Sequence, residues 1–270
     1  GLGRKANFSR IDILEYDHCN LARTINDIVK NHLSRESNYI LFYDSKIKLI
    51  NDAIDRCLLL FREKKSVGTV GIRLHYDDNS IRHDGVKPLF GCNNIFDIHY
   101  QNLGSCYMYN PDTVEIFGNT MDFLMVDRLI FEKVYLNENY NELPDIELNL
   151  QMIRLDRKNY HIGHAVAYYY GSQTREENPD NTKKTMDDYH NHLLPFFKKH
   201  CVPIFFTQLF EGASQASQAG RHQTAVEMGK LLLEHAPQNP NVHQLVGFIH
   251  GRGGDQTMAV KHFRQAIALN

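Results

Sequence analysis

Five apolar residues in a row, Tyr39-Ile40-Leu41-Phe42-Tyr43, followed at once by the polar triplet Asp44-Ser45-Lys46, restrict the folds open to this chain more than any other stretch. The run has no alternation, so it reads as a strand covered on both faces. Beyond it Ile54, Cys57, Leu58 and Phe61 recur at i, i+3, i+4 and i+7, which predicts a helix over residues 51–61. Val67-Gly68-Thr69-Val70-Gly71-Ile72-Arg73-Leu74 then reads as a second strand, and Ser80-Ile81-Arg82-His83-Asp84-Gly85-Val86 as the turn that follows. Strand, helix and strand make an α/β unit. Asp44 and Ser45 fall at the carboxyl end of its first strand, where open α/β sheets bind ligands.

Composition narrows the class. A chain of 270 residues with 42% hydrophobic residues can fill one large core and a smaller one. Thirty basic against 32 acidic residues give a formal charge of -2 without a long basic block, so no nucleic acid or anionic membrane surface is expected as a partner. The five cysteines, Cys19, Cys57, Cys92, Cys106 and Cys201, are odd in number and widely spaced, which argues against a disulfide framework or a structural zinc site. No apolar run approaches the ~18 residues of a membrane span, and the first residues lack a signal peptide's apolar region. The expectation is a cytoplasmic protein with reduced thiols.

In chain order, residues 11–16 read as a short strand, and residues 20–33 as a helix with Leu21, Ile25, Ile28, Val29 and Leu33 on one face. Tyr76-Asp77-Asp78-Asn79-Ser80 is turn chemistry. Residues 88–111, rich in Gly, Asn and aromatics, read as an irregular stretch with one strand; residues 123–126 read as a strand, and residues 127–134 as a short helix. Pro144 suits a helix's first turn, where unpaired N–H groups and the helix dipole favour an ionised Asp145. Glu147, two residues on, does not face Asp145 on a helix. Residues 160–170 read as a closing strand, residues 174–187 as a solvated linker, and residues 186–199 as a helix on which His190 and His192 diverge towards solvent. A structural hydrogen bond is the expectation for His83. No Ser-His-Asp or nucleophilic Cys arrangement is readable, and Gly68-Thr69-Val70-Gly71 lacks the spacing of a phosphate loop.

A repeat follows. Gly220-x4-Ala225 is echoed by Gly254-x4-Ala259 34 residues later, and Leu232 by Ala266 at the same spacing. With Pro237, Gly247 and Phe263 these form the tetratricopeptide pattern of small and aromatic residues that lets antiparallel helices pack closely. Repeats are expected at residues 206–239 and 240–270. Two repeats rarely form a stable superhelix alone, so they should bind a protein partner, another copy or the first domain.

The order of phrases Tyr39-x-Leu41-Phe42, polar triplet, helix, Val67-Gly68-x-Val70-Gly71-x-x-Leu74 and Ile81-x-His83-x-Gly85-Val86 resembles the inverting family 2 glycosyltransferases. The likeness extends more weakly over residues 8–175, through Val126, Arg128, Phe131 and Val134 and through Asp145-Ile146-Glu147-Leu148-x-Leu150. It implies a GT-A fold, here a partial mixed sheet with flanking helices, since the family's base-binding front strands have no counterpart. It also implies a nucleotide-sugar donor, an acceptor hydroxyl and transfer with inversion, with Asp145 as general base. Asp44, Ser45 and Lys46 match the triplet at the donor diphosphate. The family uses manganese or magnesium there, but Lys46 stands at its metal-binding aspartate and Tyr169 at a histidine that often completes the metal site. Lys46 is then expected to neutralise the diphosphate itself, or the site to be dead. The organisation expected is a transferase domain over residues 1–180, a linker helix over residues 181–205 and two tetratricopeptide repeats over residues 206–270. The alternative is a degenerate, non-catalytic transferase serving as an interaction or scaffold protein. Without front strands, the edge near residues 11–16 should be covered by a partner or by the chain's own termini.

Overall fold

The structure, a computed structural model, describes residue 14, residues 20–171 and residues 179–270. The strand and edge expected near residues 11–16 lie, Leu14 apart, outside the described residues. The chain forms two compact units, one of residues 1–86 with 100–194, the other of residues 87–99 with 195–270.

The elements run α1 (Leu21–Asn31), β1 (Tyr39–Tyr43), β2 (Ile47–Leu49), α2 (Ala53–Glu63), β3 (Val67–Tyr76) and β4 (Ile81–His83). They continue with β5 (Val86–Phe90), β6 (Phe96–Tyr100), β7 (Thr113–Ile116), β8 (Phe123–Asp127), α3 (Arg128–Val134), α4 (Pro144–Arg154), β9 (Lys158–Tyr169) and α5 (Pro179–Asp188). The first unit is a mixed sheet flanked by helices, with strand order β1-β8-β3-β9-β2, β4 beside β3 and β7 beside β9. β3 and β9 are parallel, and β8, β4 and β7 run antiparallel to them. One face carries Val70, Ile72 and Leu74 against Ala53, Cys57 and Leu60 of α2. The other carries Ile40, Leu124 and Val126 against Ala22 and Val29 of α1, Phe131 of α3, and Leu148 and Met152 of α4. Each large side chain fully buried this way stabilises the fold by about 1.5–3 kcal/mol.

The structure corrects the place of β1. Among the described residues it ends the strand order, and Tyr43 is 44% exposed, so the run is not covered on both faces along its length. Its apolar side chains are used instead in aromatic contacts, Tyr39 on Phe61 of α2 and Phe42 on Phe131 of α3. Asn20 and Asp127 start α1 and α3 by accepting from the N–H groups of Arg23 and Ile130. The turn at residues 76–80 closes as expected, with Tyr76 N–H on the Ser80 carbonyl, Ser80 N–H on Asp78 and Asn79 at φ 69°.

Residues 88–111 hold two strands rather than one, because β5 and β6 pair as a separate two-stranded sheet. Its residues 87–99 belong to the second unit, with α6 (Leu194–His200), α7 (Phe206–Gln218), α8 (His222–His235), α9 (Pro240–Arg252) and α10 (Gln256–Leu269). Phe90 and Phe96 of the hairpin stack with Phe197 and Phe205, the Phe96–Phe197 rings lying 4.4 Å apart. The C-terminal helices pack on one another in chain order, α7 on α8, α8 on α9 and α9 on α10, and glycine sets one approach: a Cβ at Gly247 would lie 2.7 Å from the Phe263 ring. The described part of the 174–187 stretch is helical, since α5 begins at Pro179 and ends in the buried Asp188. His190 is exposed, whereas His192 is half-buried on the Tyr140 ring.

Candidate functional site

Asparagine side chains hold the site together from inside. On the β3 face opposite α2, Asn149 of α4 accepts from Thr69 Oγ1 at 2.7 Å and from the Asn119 N–H at 3.1 Å. Its own amide donates to the carbonyls of Asn119 and Asp145, both at 2.7 Å. Asn159 accepts from the Thr69 N–H and donates to the Phe117 and Asn149 carbonyls. Such wide polar packing needs the backbone to come close, which explains the glycines of Val67-Gly68-x-Val70-Gly71. A Cβ at Gly68 would meet Asn159 Oδ1 at 2.5 Å, and one at Gly71 would meet Asn119 Oδ1 at 2.2 Å. The network fixes the first turn of α4, and with it Asp145.

A second support comes from α5. The buried Asp188 carboxylate accepts the N–H groups of Asn141, Glu142 and Leu143 at 2.8, 2.6 and 3.1 Å, ordering the approach to Pro144. Asp145 then accepts from the N–H of Met121 at 3.3 Å and of Ile146 at 2.9 Å. Burial nevertheless pushes its pKa up to about 6, with the Asp122 charge acting in the same direction and the two N–H groups against it. Desolvation thus outweighs the helix terminus and its N–H groups. Asp145 remains mostly ionised at neutral pH.

Asp145 borders a cavity of about 690 Å³ that β1 lines along its whole length, with Asp44 just beyond the strand's carboxyl end. Asp44, Arg82, Asp122 and Glu142 line the same cavity, which α1 extends with the apolar Leu21, Ile25 and Ile28. The structure therefore brings Asp44 and Asp145 to one cleft. Asp44 ends β1, its N–H on the Asp122 carbonyl and its Oδ1 accepting from the Lys46 N–H at 2.8 Å. Ser45 and Lys46 are exposed on the turn into β2, outside the cavity lining. Glu147 is buried on another side of α4, where Gln151 donates to it.

Arg82, which no sequence pattern singles out, is the cation of the cavity. Its Nη2 and Nε meet Asp122 Oδ2 at 2.8 and 3.0 Å, its Nη1 donates to Tyr76 Oη at 3.3 Å, and its guanidinium carbon lies 3.7 Å from the centre of the Tyr169 ring. Lys46 Nζ lies 5.9 Å from the same ring centre. A divalent cation does not fit this donor set. Arg82 puts a guanidinium over the Tyr169 ring, and the Lys46 ammonium cannot ligate a metal. Among the described residues no group of three or more His, Cys, Asp or Glu side chains is arranged to hold a metal ion.

His83 also lines the cavity but is 1% exposed, with the Asn119 side chain beside its ring. Burial and the His161 ring beside it, 5.5 Å away, hold its pKa down at about 3, so it is neutral. His161 faces Asp84 Oδ1 at 3.2 Å, and Asp84 accepts from Asn102 at 2.6 Å. The four described cysteines, Cys57, Cys92, Cys106 and Cys201, are free, and burial pushes the Cys57 thiol up to about 12. No helix among the described residues is long and apolar enough to cross a membrane.

No known family profile matches the chain, and no curated protein matches it. Among solved structures, the crystal structure of A197 from STIV is similar at 12% identity over 58% of this chain and 70% of that one, with a TM-score of 0.37. A likeness of that size assigns neither family nor activity.

Proposed function

We propose that the α/β unit is a GT-A-like glycosyltransferase that moves a sugar from a nucleotide-diphosphate donor to an acceptor hydroxyl with inversion. The observation that carries this reading is the meeting in one cleft of Asp145 and Asp44, the latter just beyond the carboxyl end of a strand, with Asp145 tuned to about 6. A carboxylate of that pKa is ionised at neutral pH and basic enough to take the proton of a hydroxyl. The acceptor oxygen then bonds to the sugar's anomeric carbon from the face opposite the donor, and the nucleoside diphosphate leaves with the bonding pair. Asp44, Ser45 and Lys46 hold the donor side.

Incubation of the full chain with uridine- and guanosine-diphosphate sugars and a panel of hydroxyl acceptors tests the reading, with the product's anomeric configuration read by NMR. Asp145→Asn is expected to lower turnover 10²–10⁴-fold, the usual contribution of a general base. Wild-type turnover should fall as pH drops below about 6, where Asp145 protonates. Retained activity in Asp145→Asn, or a retained anomeric configuration, removes the mechanism.

The C-terminal helices support a second role. Phe248, Val260 and Ile267 are 53%, 46% and 76% exposed on α9 and α10. We read residues 206–270 as two tetratricopeptide repeats that bind a protein partner or another copy, a role the chain can fill with or without catalysis.

A further inference from the structure

We infer that Arg82, stacked on Tyr169 beside Lys46, supplies to a bound diphosphate the positive charge that a divalent cation would otherwise supply. The inference rests on the donor reading above and names how that site works. Three observations carry it. Arg82 lines the cavity shared by Asp44 and Asp145. Its plane is fixed on both sides of its fork, by Asp122 on Nε and Nη2 and by the Tyr169 face beneath, so little freedom is lost when a ligand binds. Of the five guanidinium N–H groups, Asp122 and Tyr76 take three, leaving one on each terminal nitrogen, the spacing that suits two oxygens of a phosphate.

The same groups work against a metal. The carboxylate nearest the guanidinium, Asp122, is already charge-paired at 2.8 Å, and a cation held beside it would face Arg82 at close range. Lys46, whose Nζ lies 5.9 Å from the centre of the same ring, adds a second positive charge without adding a ligand. Both are available to a diphosphate whose charge grows as it leaves.

Calorimetric titration of the full chain with inorganic pyrophosphate, uridine diphosphate and guanosine diphosphate, in chelator and in manganese, tests this. The expected result is the same affinity in both buffers within about threefold, weakened at least tenfold by Arg82→Gln and severalfold by Lys46→Gln, and unchanged by Lys48→Gln. Should Arg82→Gln fail to fold, Arg82→Lys keeps a charge against Asp122 but removes the fork, and the same tenfold weakening is expected. Affinity that rises tenfold or more with manganese, or that is indifferent to both Arg82 variants, overturns the inference. Diphosphate binding through Arg82 with no transfer to any acceptor leaves it standing and overturns the transferase reading; no diphosphate binding by the wild type overturns both.

Discussion

At Asp145 two opposing effects act on one carboxyl, and their balance is measurable. Its folded-state pKa of about 6 lies above the ordinary 3.8, so ionisation costs the native state free energy. That cost is complete above about pH 6 and absent below about pH 3.8. Two units correspond to roughly 3 kcal/mol, but the group is only partly buried and screened from its cavity side, which brings the figure to about 1–2 kcal/mol. Asp145→Asn keeps one of the two oxygens that accept from the Met121 and Ile146 N–H groups and loses the other at any pH, so its stability relative to the wild type should be higher at pH 8 than at pH 3.5 by that amount. Denaturant titration at the two values checks it; a variant-to-wild-type difference that is the same at both would contradict the assignment. His262 titrates with the other sign. His243 Nε2 donates to the Pro237 carbonyl at 2.9 Å, so its Nδ1 is bare and accepts the Nδ1–H of His262 at 3.0 Å. Burial, then His243 and His250 of α9 and Lys261 of α10, lower the His262 pKa below 6.5. Its contribution is present above pH 6.5 and lost as pH falls through the lowered value. Thermal unfolding followed from pH 7.5 to 5 should show a decline that His262→Gln flattens.

At the scale of elements, the close approach of β3 to the asparagine layer was legible only as a pattern. Val67-Gly68-x-Val70-Gly71 reads plainly as a buried strand, and the glycines as departures from strand propensity, but their purpose depends on Asn119 and Asn159, 48 and 91 residues further on from Gly71 and Gly68. Arg82 was hidden for the same reason: its partners Asp122 and Tyr169 are distant in sequence, and an arginine after a turn has no periodicity to mark it. Asp44 and Asp145 were readable because a strand's end and a Pro-started helix are local signals. β1 was misplaced because an uninterrupted apolar run reports burial demand, whereas strand order is set by pairing. A glycine contrast tests the packing argument. Gly71→Ala should destabilise by about 1–3 kcal/mol, since its Cβ would overlap Asn119 inside a filled layer. Gly251→Ala, in α9 with its nearest contact at an ordinary 3.6 Å, should stabilise by about 0.5–1 kcal/mol. Equal effects at the two positions, measured by denaturant unfolding, would show that the close approach is not what selects glycine at 71.

For the whole molecule, the division into units predicts where the chain tolerates a cut. Removing residues 206–270 takes away α7 to α10 but leaves the β5/β6 hairpin, whose second-unit residues 87–99 pack against what was removed. Gly91 approaches Gly212 so closely that a Cβ would sit 2.3 Å from its carbonyl oxygen, and Arg221 donates to the Gly91 carbonyl at 2.8 Å. Phe90 would lose the cover of Gly212 in α7, where an added Cβ would lie 2.6 Å from the Phe90 Cβ. An exposed hairpin with apolar rings and a free strand edge invites association. A chain ending at residue 205 should thus aggregate or self-associate. Removing the hairpin as well restores a consistent surface, because the Gln101 N–H bonds the Gly85 carbonyl at 2.9 Å and the two ends already lie side by side. A chain ending at residue 194, with residues 87–99 replaced by an Asn-Gly turn, should be monodisperse in light scattering and retain a cooperative unfolding transition. If the chain ending at residue 205 is equally monodisperse with its hairpin intact, the hairpin does not depend on the C-terminal helices, and the division into units is wrong at residues 87–99.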